Sequence, residues 1–279
     1  MKSRSVCVLA VLVLAGCGGS ADNVATDASS PEPEAFSTVQ SLMPIPDTPA
    51  ASKAALEKLE QQYSCQLPDD YSGFLHSKNG AFPALDCITF EEGGRKTASD
   101  VFCFFALDHS QPGLSMNWHR ETFSERLPKD TLPIGRDSGG NLWLLSLLGN
   151  DAGSVFFWDH GTFETVDETD LKSCPKVASS FTEFRNSLGA YDPSVENGSI
   201  PSRYSLMAQA TNGMVKRDPS FSTQDNPDFV WHCDCDESGD VSMQFVQYEI
   251  HAIAAHTCGY TRLRRINGMI EEGQPRLPQ

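Results

Sequence analysis

A succession of short apolar segments between Cys87 and Val166, broken by turn sequences and bracketed by helical patterns, narrows the possible folds more than anything else in the chain. Cys87-Ile88-Thr89-Phe90, Val101 to Phe105, Asn141 to Leu148 and Ser154 to Trp158 read as strands, and Phe163 to Val166 as a further one. Gly149-Asn150-Asp151-Ala152-Gly153 reads as a hairpin turn between two of them. Upstream, Ala54, Ala55, Leu56, Leu59 and Tyr63 recur at helical spacing and predict a helix over about 51–64. Pro68 sits at the start of a second helix, with Asp69 and Asp70 in its first turn, where the helix dipole favours negative charge. Tyr71, Phe74 and Leu75 share one face of that helix, and Asn79-Gly80 ends it. Downstream, Ser179 or Ser180 is a helix N-cap for Phe181 and Phe184, with Glu183 placed for a capping box. The order helix–helix–strands–helix predicts an α+β fold, an antiparallel sheet flanked by N- and C-terminal helices.

The two ends of the chain read differently. Lys2 and Arg4 precede an apolar stretch, Val6 to Ala15, that is too short to span a bilayer and has the proportions of a secretory signal. Leu14-Ala15-Gly16-Cys17 follows and resembles the bacterial lipobox, in which the cysteine thiol takes the lipid and the bond before it is cut. Residues 1–16 are therefore expected to be a signal peptide. Residues 17–50, rich in Gly, Ser, Ala, Asp and Pro, are expected to be a lipidated, disordered tether with order beginning near Ala51. The protein would then sit in the bacterial cell envelope, held by lipid on Cys17, on the outer membrane where there are two. Residues 191–279 form an extension of unassigned fold. Its first part, to 226, is polar and turn-rich, Phe229 to Cys235 reads as a strand, and Gln244 to His256 is an amphipathic segment.

Charge restricts the partners. The net charge is −16, and loss of residues 1–16, with Lys2 and Arg4 but no acid, takes it to −18. Such a surface repels nucleic acid and anionic lipid heads and favours basic partners.

Several segments in order resemble one family. Leu67-Pro68-Asp69-Asp70-Tyr71 with Asn79-Gly80 is similar to the N-terminal signature of the SUKH superfamily of Smi/Knr-like domains. Leu132-Pro133-Ile134-Gly135-Arg136-Asp137-Ser138-Gly139-Gly140-Asn141, the Val155 to His160 strand and the Ser179-Ser180-Phe181 helix start continue the pattern, so the resemblance covers about 51–190. It implies a fold without a catalytic centre or cofactor. Bacterial members are mostly immunity proteins that bind toxins; fungal members help coordinate cell-wall synthesis. The implied role is a non-catalytic, envelope-anchored binding protein that sequesters a protein partner such as a basic toxin or effector domain. A cell-wall scaffold or regulator is the alternative. A lipobox departs from the usual cytoplasmic immunity member, which puts a nuclease target in doubt.

The motif residues read mainly as structural. Gly135, Gly139 and Gly140 would permit a positive-φ turn, Asp137 and Asn141 would satisfy its backbone donors, and Arg136 would pair with Asp69 or Asp70. Asp137-Ser138-Gly139-Gly140 also matches part of a chymotrypsin-like nucleophile motif, with Ala254-Ala255-His256 echoing the histidine segment. The chain order is reversed, however, and Arg136 stands where glycine is expected. Cys233, Cys235 and Cys258, near His232, His251 and His256, suit a disulfide to Cys258, free thiols, or a zinc ion; no metal is expected here, because Cys-x-Cys is not the usual knuckle spacing. Cys87 and Cys103 could face each other across two strands or be core cysteines.

Overall fold

The computed structural model describes residues 11–14, 41–161, 170–195, 202–235, 241–248 and 251. Cys17, His256, Cys258 and the strand expected at Phe163 to Val166 lie outside them. In chain order the elements are β1 (Val11–Leu14), β2 (Leu42–Pro44), α1 (Lys53–Tyr63), α2 (Asp69–Ser77), β3 (Ala81–Pro83), β4 (Cys87–Glu92), β5 (Arg95–Asp100) and β6 (Cys103–Phe104). Then follow α3 (Met116–Thr122), β7 (Thr131–Arg136), β8 (Leu142–Ser146), β9 (Val155–Trp158), β10 (Lys176–Ala178), α4 (Phe181–Asn186), α5 (Arg203–Arg217), β11 (Phe229–Cys235) and β12 (Val241–Gln247). The architecture is α+β. A seven-stranded antiparallel sheet runs β10-β9-β8-β7-β6-β3-β2, with a β4-β5 hairpin and a three-stranded sheet, β1-β12-β11, beside it.

Every residue of β7, β8 and β9 is buried, which explains why β8 and β9 read as continuous apolar runs rather than alternating ones. Both faces of the sheet are covered. Phe104, Trp143 and Phe157 point one way, toward Phe74 of α2, Phe181 and Phe184 of α4, and Phe90 of β4. Their chain neighbours point the other way: Phe105 stacks on His119 of α3, and Trp158 meets Phe123. α2 and α4 are joined directly, because Asp70 accepts from the Thr182 N–H at 2.7 Å and so caps the first turn of α4. Ser180 caps the same helix, and Glu183 reaches back to the Ser179 N–H.

Several elements differ from the sequence reading. Ordered chain begins before Ala51: Leu42 to Pro44 pairs with β3, and Ile45 and Ala51 are buried. Pro44 and Pro83 carry no N–H to donate, which suits a short strand that closes a sheet edge. Leu132 to Arg136 is itself a strand. Residues 203–217 form a four-turn helix inside the stretch read as turn-rich, started by Ser202 and burying Arg203, Leu206, Met207 and Ala210. β11 lies where it was expected, and β12 takes the start of the amphipathic segment. Cys87 and Cys103 sit in different sheets and are buried separately, so they are core cysteines.

Candidate functional site at the junction of domain and extension

The segment Arg136 to Asn141 joins β7 to β8 and lies where the C-terminal extension docks. Asp137 is fully buried, and its two oxygens accept from the Gly139 and Asn141 N–H groups, the Asn141 amide and the Ser99 hydroxyl, at 2.8–2.9 Å. Asn141 in turn accepts from the His160 N–H and from its Nδ1. Of the three motif glycines only Gly140 has positive φ. Gly135 is a strand residue, required because a Cβ there would stand 2.6 Å from the Cys103 carbonyl oxygen on β6.

Arg136 does not pair with Asp69 or Asp70. Its guanidinium lies between the Phe102 and Tyr248 rings, 4.1 and 4.9 Å from their centroids, and donates to the carbonyls of Gly113, Asp137 and Pro227. Two of these contacts, Tyr248 and Pro227, come from the extension. Asp69 and Asp70 stay in the first turn of α2, so they serve the helix dipole and the α4 cap instead. Asn79 bridges the Pro49 carbonyl and the Leu107 N–H, and Tyr71 packs edge-on against Phe181. Leu67 is buried and donates its N–H to Glu60 just ahead of Pro68.

A second set of contacts fixes α5. Arg203, 4% exposed on its side chain, forms ion pairs with Glu92 and Asp159 and lies over the Phe157 ring. The Trp231 N–H donates to the Ser138 carbonyl.

Between α5 and the domain these contacts leave a cavity of about 310 Å³, lined by Asp86, Asp100, Ser138, Tyr204, Asn212, Thr223 and their neighbours. No lysine or arginine is among its lining residues. Asp100 accepts from the Ser138 N–H and hydroxyl, and Asp86 from the Tyr204 hydroxyl. Burial, reinforced by the Asp137 and Asp86 carboxylates, pushes Asp100 up to about 8, and burial raises Asp86 as well. A buried carboxyl with hydroxyl and amide donors but no cation among the described residues lining its cavity is poised to ionise when a cation arrives. The cavity therefore suits an ammonium or guanidinium group.

The other sequence candidates fall elsewhere. Ser138 gives its hydroxyl to Asp100, so a carboxylate rather than a histidine faces it. Cys233 and Cys235 project from one face of β11 into an apolar cluster with Trp231 and Met243, while His232 lies on the opposite face with its ring near that of His251. Among the described residues no group of three His, Cys, Asp or Glu side chains is arranged to hold a metal. Asp86, Asp100 and Tyr204 were missed from sequence, since they converge from three separated segments.

An antiparallel sheet with helices packed on both faces is an α+β fold consistent with a SUKH-like domain. Residues 50–187 match the SMI1 / KNR4 family (SUKH-1), and a domain of that family is present in the chain. The chain is also 28% identical, over 150 residues, to the SPbeta prophage-derived uncharacterized protein YokK of Bacillus subtilis (strain 168). That alignment covers 48% of this chain and 72% of the relative.

Proposed function

We propose that the protein is a non-catalytic, immunity-like binding protein, anchored in the cell envelope by lipid on Cys17, that sequesters a basic protein partner. The SUKH-1 domain supports partner binding in general, since proteins of this family are often immunity-like. The junction cavity carries the finer reading. Asp86 and Asp100 line it without a cation, in a chain of net charge −16. A lysine or arginine side chain of the partner would complete it, and the surrounding acidic surface would speed encounter.

The test is capture from envelope extracts with the mature chain, beside Asp86→Asn/Asp100→Asn. A captured protein of net positive charge, released by salt and lost with the double variant, is the expected result. Capture that the double variant leaves unchanged would overturn the cavity's role. For the anchor, labelled palmitate should enter the wild-type chain and not Cys17→Ala; equal labelling would remove lipidation from the proposal.

A further inference from the structure

A second cleft, of about 730 Å³, is built from other elements and has the opposite character. α1 contributes Lys58 and Tyr63, α3 contributes Asn117 and Arg120, and the chain entering β7 contributes Lys129 and Asp130. Arg120 is held in place before any ligand arrives. Its Nε donates to the Tyr63 hydroxyl at 3.0 Å, its Nη1 to Asn117 at 3.2 Å, and its Cζ lies 5.0 Å from the Tyr63 ring centroid. These contacts use Nε–H and one Nη1–H, leaving three of the five guanidinium donors for other acceptors. A fixed guanidinium with donors in hand is the side chain best matched to a carboxylate or phosphate.

The charges around it agree. Lys58, Arg120 and Lys129 line the cleft with Glu121 and Asp130, and none of the five forms an ion pair among the described residues. The cleft is thus net positive on a molecule of net charge −16, and its two acids remain able to accept from hydroxyl groups. Asp130 has φ of +58°, a conformation non-glycine residues seldom take, and its carbonyl is held by the Leu147 N–H. The volume lies in the range that encloses small ligands.

From this geometry we infer that the α1–α3 cleft binds an anionic sugar: a phosphate or carboxylate on Arg120 and its flanking lysines, with hydroxyls on Glu121 and Asp130. The inference stands apart from the junction cavity and does not need it.

Titration of the full mature chain by calorimetry and amide chemical shifts, with glucose 6-phosphate, glucuronate, glucose and inorganic phosphate, tests it. At least one sugar anion should saturate the cleft below about 10 mM, with glucose and inorganic phosphate at least tenfold weaker. Whichever anion binds identifies the group recognised. Arg120→Gln should lose at least tenfold in affinity, and Arg120→Lys should lose affinity too, because the fork is gone while the charge stays. Asp100→Asn, in the other cavity, should bind as wild type. The inference fails if neither sugar anion saturates, if inorganic phosphate binds as well as glucose 6-phosphate, or if Arg120→Gln with an unchanged circular dichroism spectrum binds normally.

Discussion

Asp100, at the end of β5, and Asp137, in the turn after β7, are both buried carboxyls, and their hydrogen-bond partners set them apart. Among the described residues Asp137 is met by four donors from Ser99, Gly139 and Asn141, whereas Asp100 is met by the hydroxyl and N–H of Ser138. Burial first, then the neighbouring carboxylates, lifts Asp100 to about 8. Between the ordinary carboxylate range and that value, the native protein keeps a proton that the unfolded chain has released. Its contribution to stability is therefore complete at acid pH and drains away as pH rises toward 8. Asp100→Asn should gain on the wild type as pH rises, a trend read from urea unfolding at a series of pH values. A difference that stays flat with pH would disprove the assignment. His119 runs the other way: burial lowers it to about 3, so its contribution is present above 6.5 and lost as pH falls. The gap between His119→Gln and wild type should accordingly narrow in acid. Gly80 shows why a motif glycine is a glycine. Its φ is +99°, and a Cβ would stand 2.8 Å from the Ala106 nitrogen, so Gly80→Ala should cost about 1–3 kcal/mol, read from the urea midpoint.

At the level of elements, α5 is held by the double ion pair of Arg203. Removing the guanidinium leaves Glu92 and Asp159 without it in a dry site, so Arg203→Met should destabilise the protein by about 3–5 kcal/mol. A change within 0.5 kcal/mol, measured by denaturant, would show that α5 docks by apolar contact alone. Elements also show what the sequence displays and what it hides. α1, α2 and α4 announce themselves by caps and apolar spacing. α5 has that spacing too, in Leu206, Met207 and Ala210, but its first buried position is an arginine, and Thr211, Asn212 and Gly213 are poor helix formers. α3 is seven residues long, too short to show a period. β5, Arg95 to Asp100, is charged at its start and looks like loop, although Gly93-Gly94 before it marks the hairpin to β4. The sequence suggests Asp69 or Asp70, the acids of the Pro68 helix, as partners for Arg136. Its real partners are carbonyls and rings, one of them 112 residues further along at Tyr248, and no local pattern encodes such a distance.

For the molecule as a whole, the extension is part of the domain's own interior. Pro227 and Tyr248 satisfy Arg136, Tyr248 donates to or accepts from His119, and Arg203 neutralises Asp159. A chain ending at residue 190 would expose these groups together. We expect it to melt at a clearly lower temperature than the full chain and to be cleaved faster by protease, whereas the full chain should melt in one transition. Equal melting temperatures would show that the extension is an appendage.

The way the chain enters the domain has a mechanical side. Leu42 to Pro44 sits at the outer edge of the large sheet, three residues against Ala81 to Pro83, with two prolines in the pairing. If the protein hangs from the membrane by its N-terminus, any tug on that line loads this clip before Ile45, Ala51 or the helices feel it. The clip would peel one pair at a time, lengthening the leash at low force while the interior stays shut.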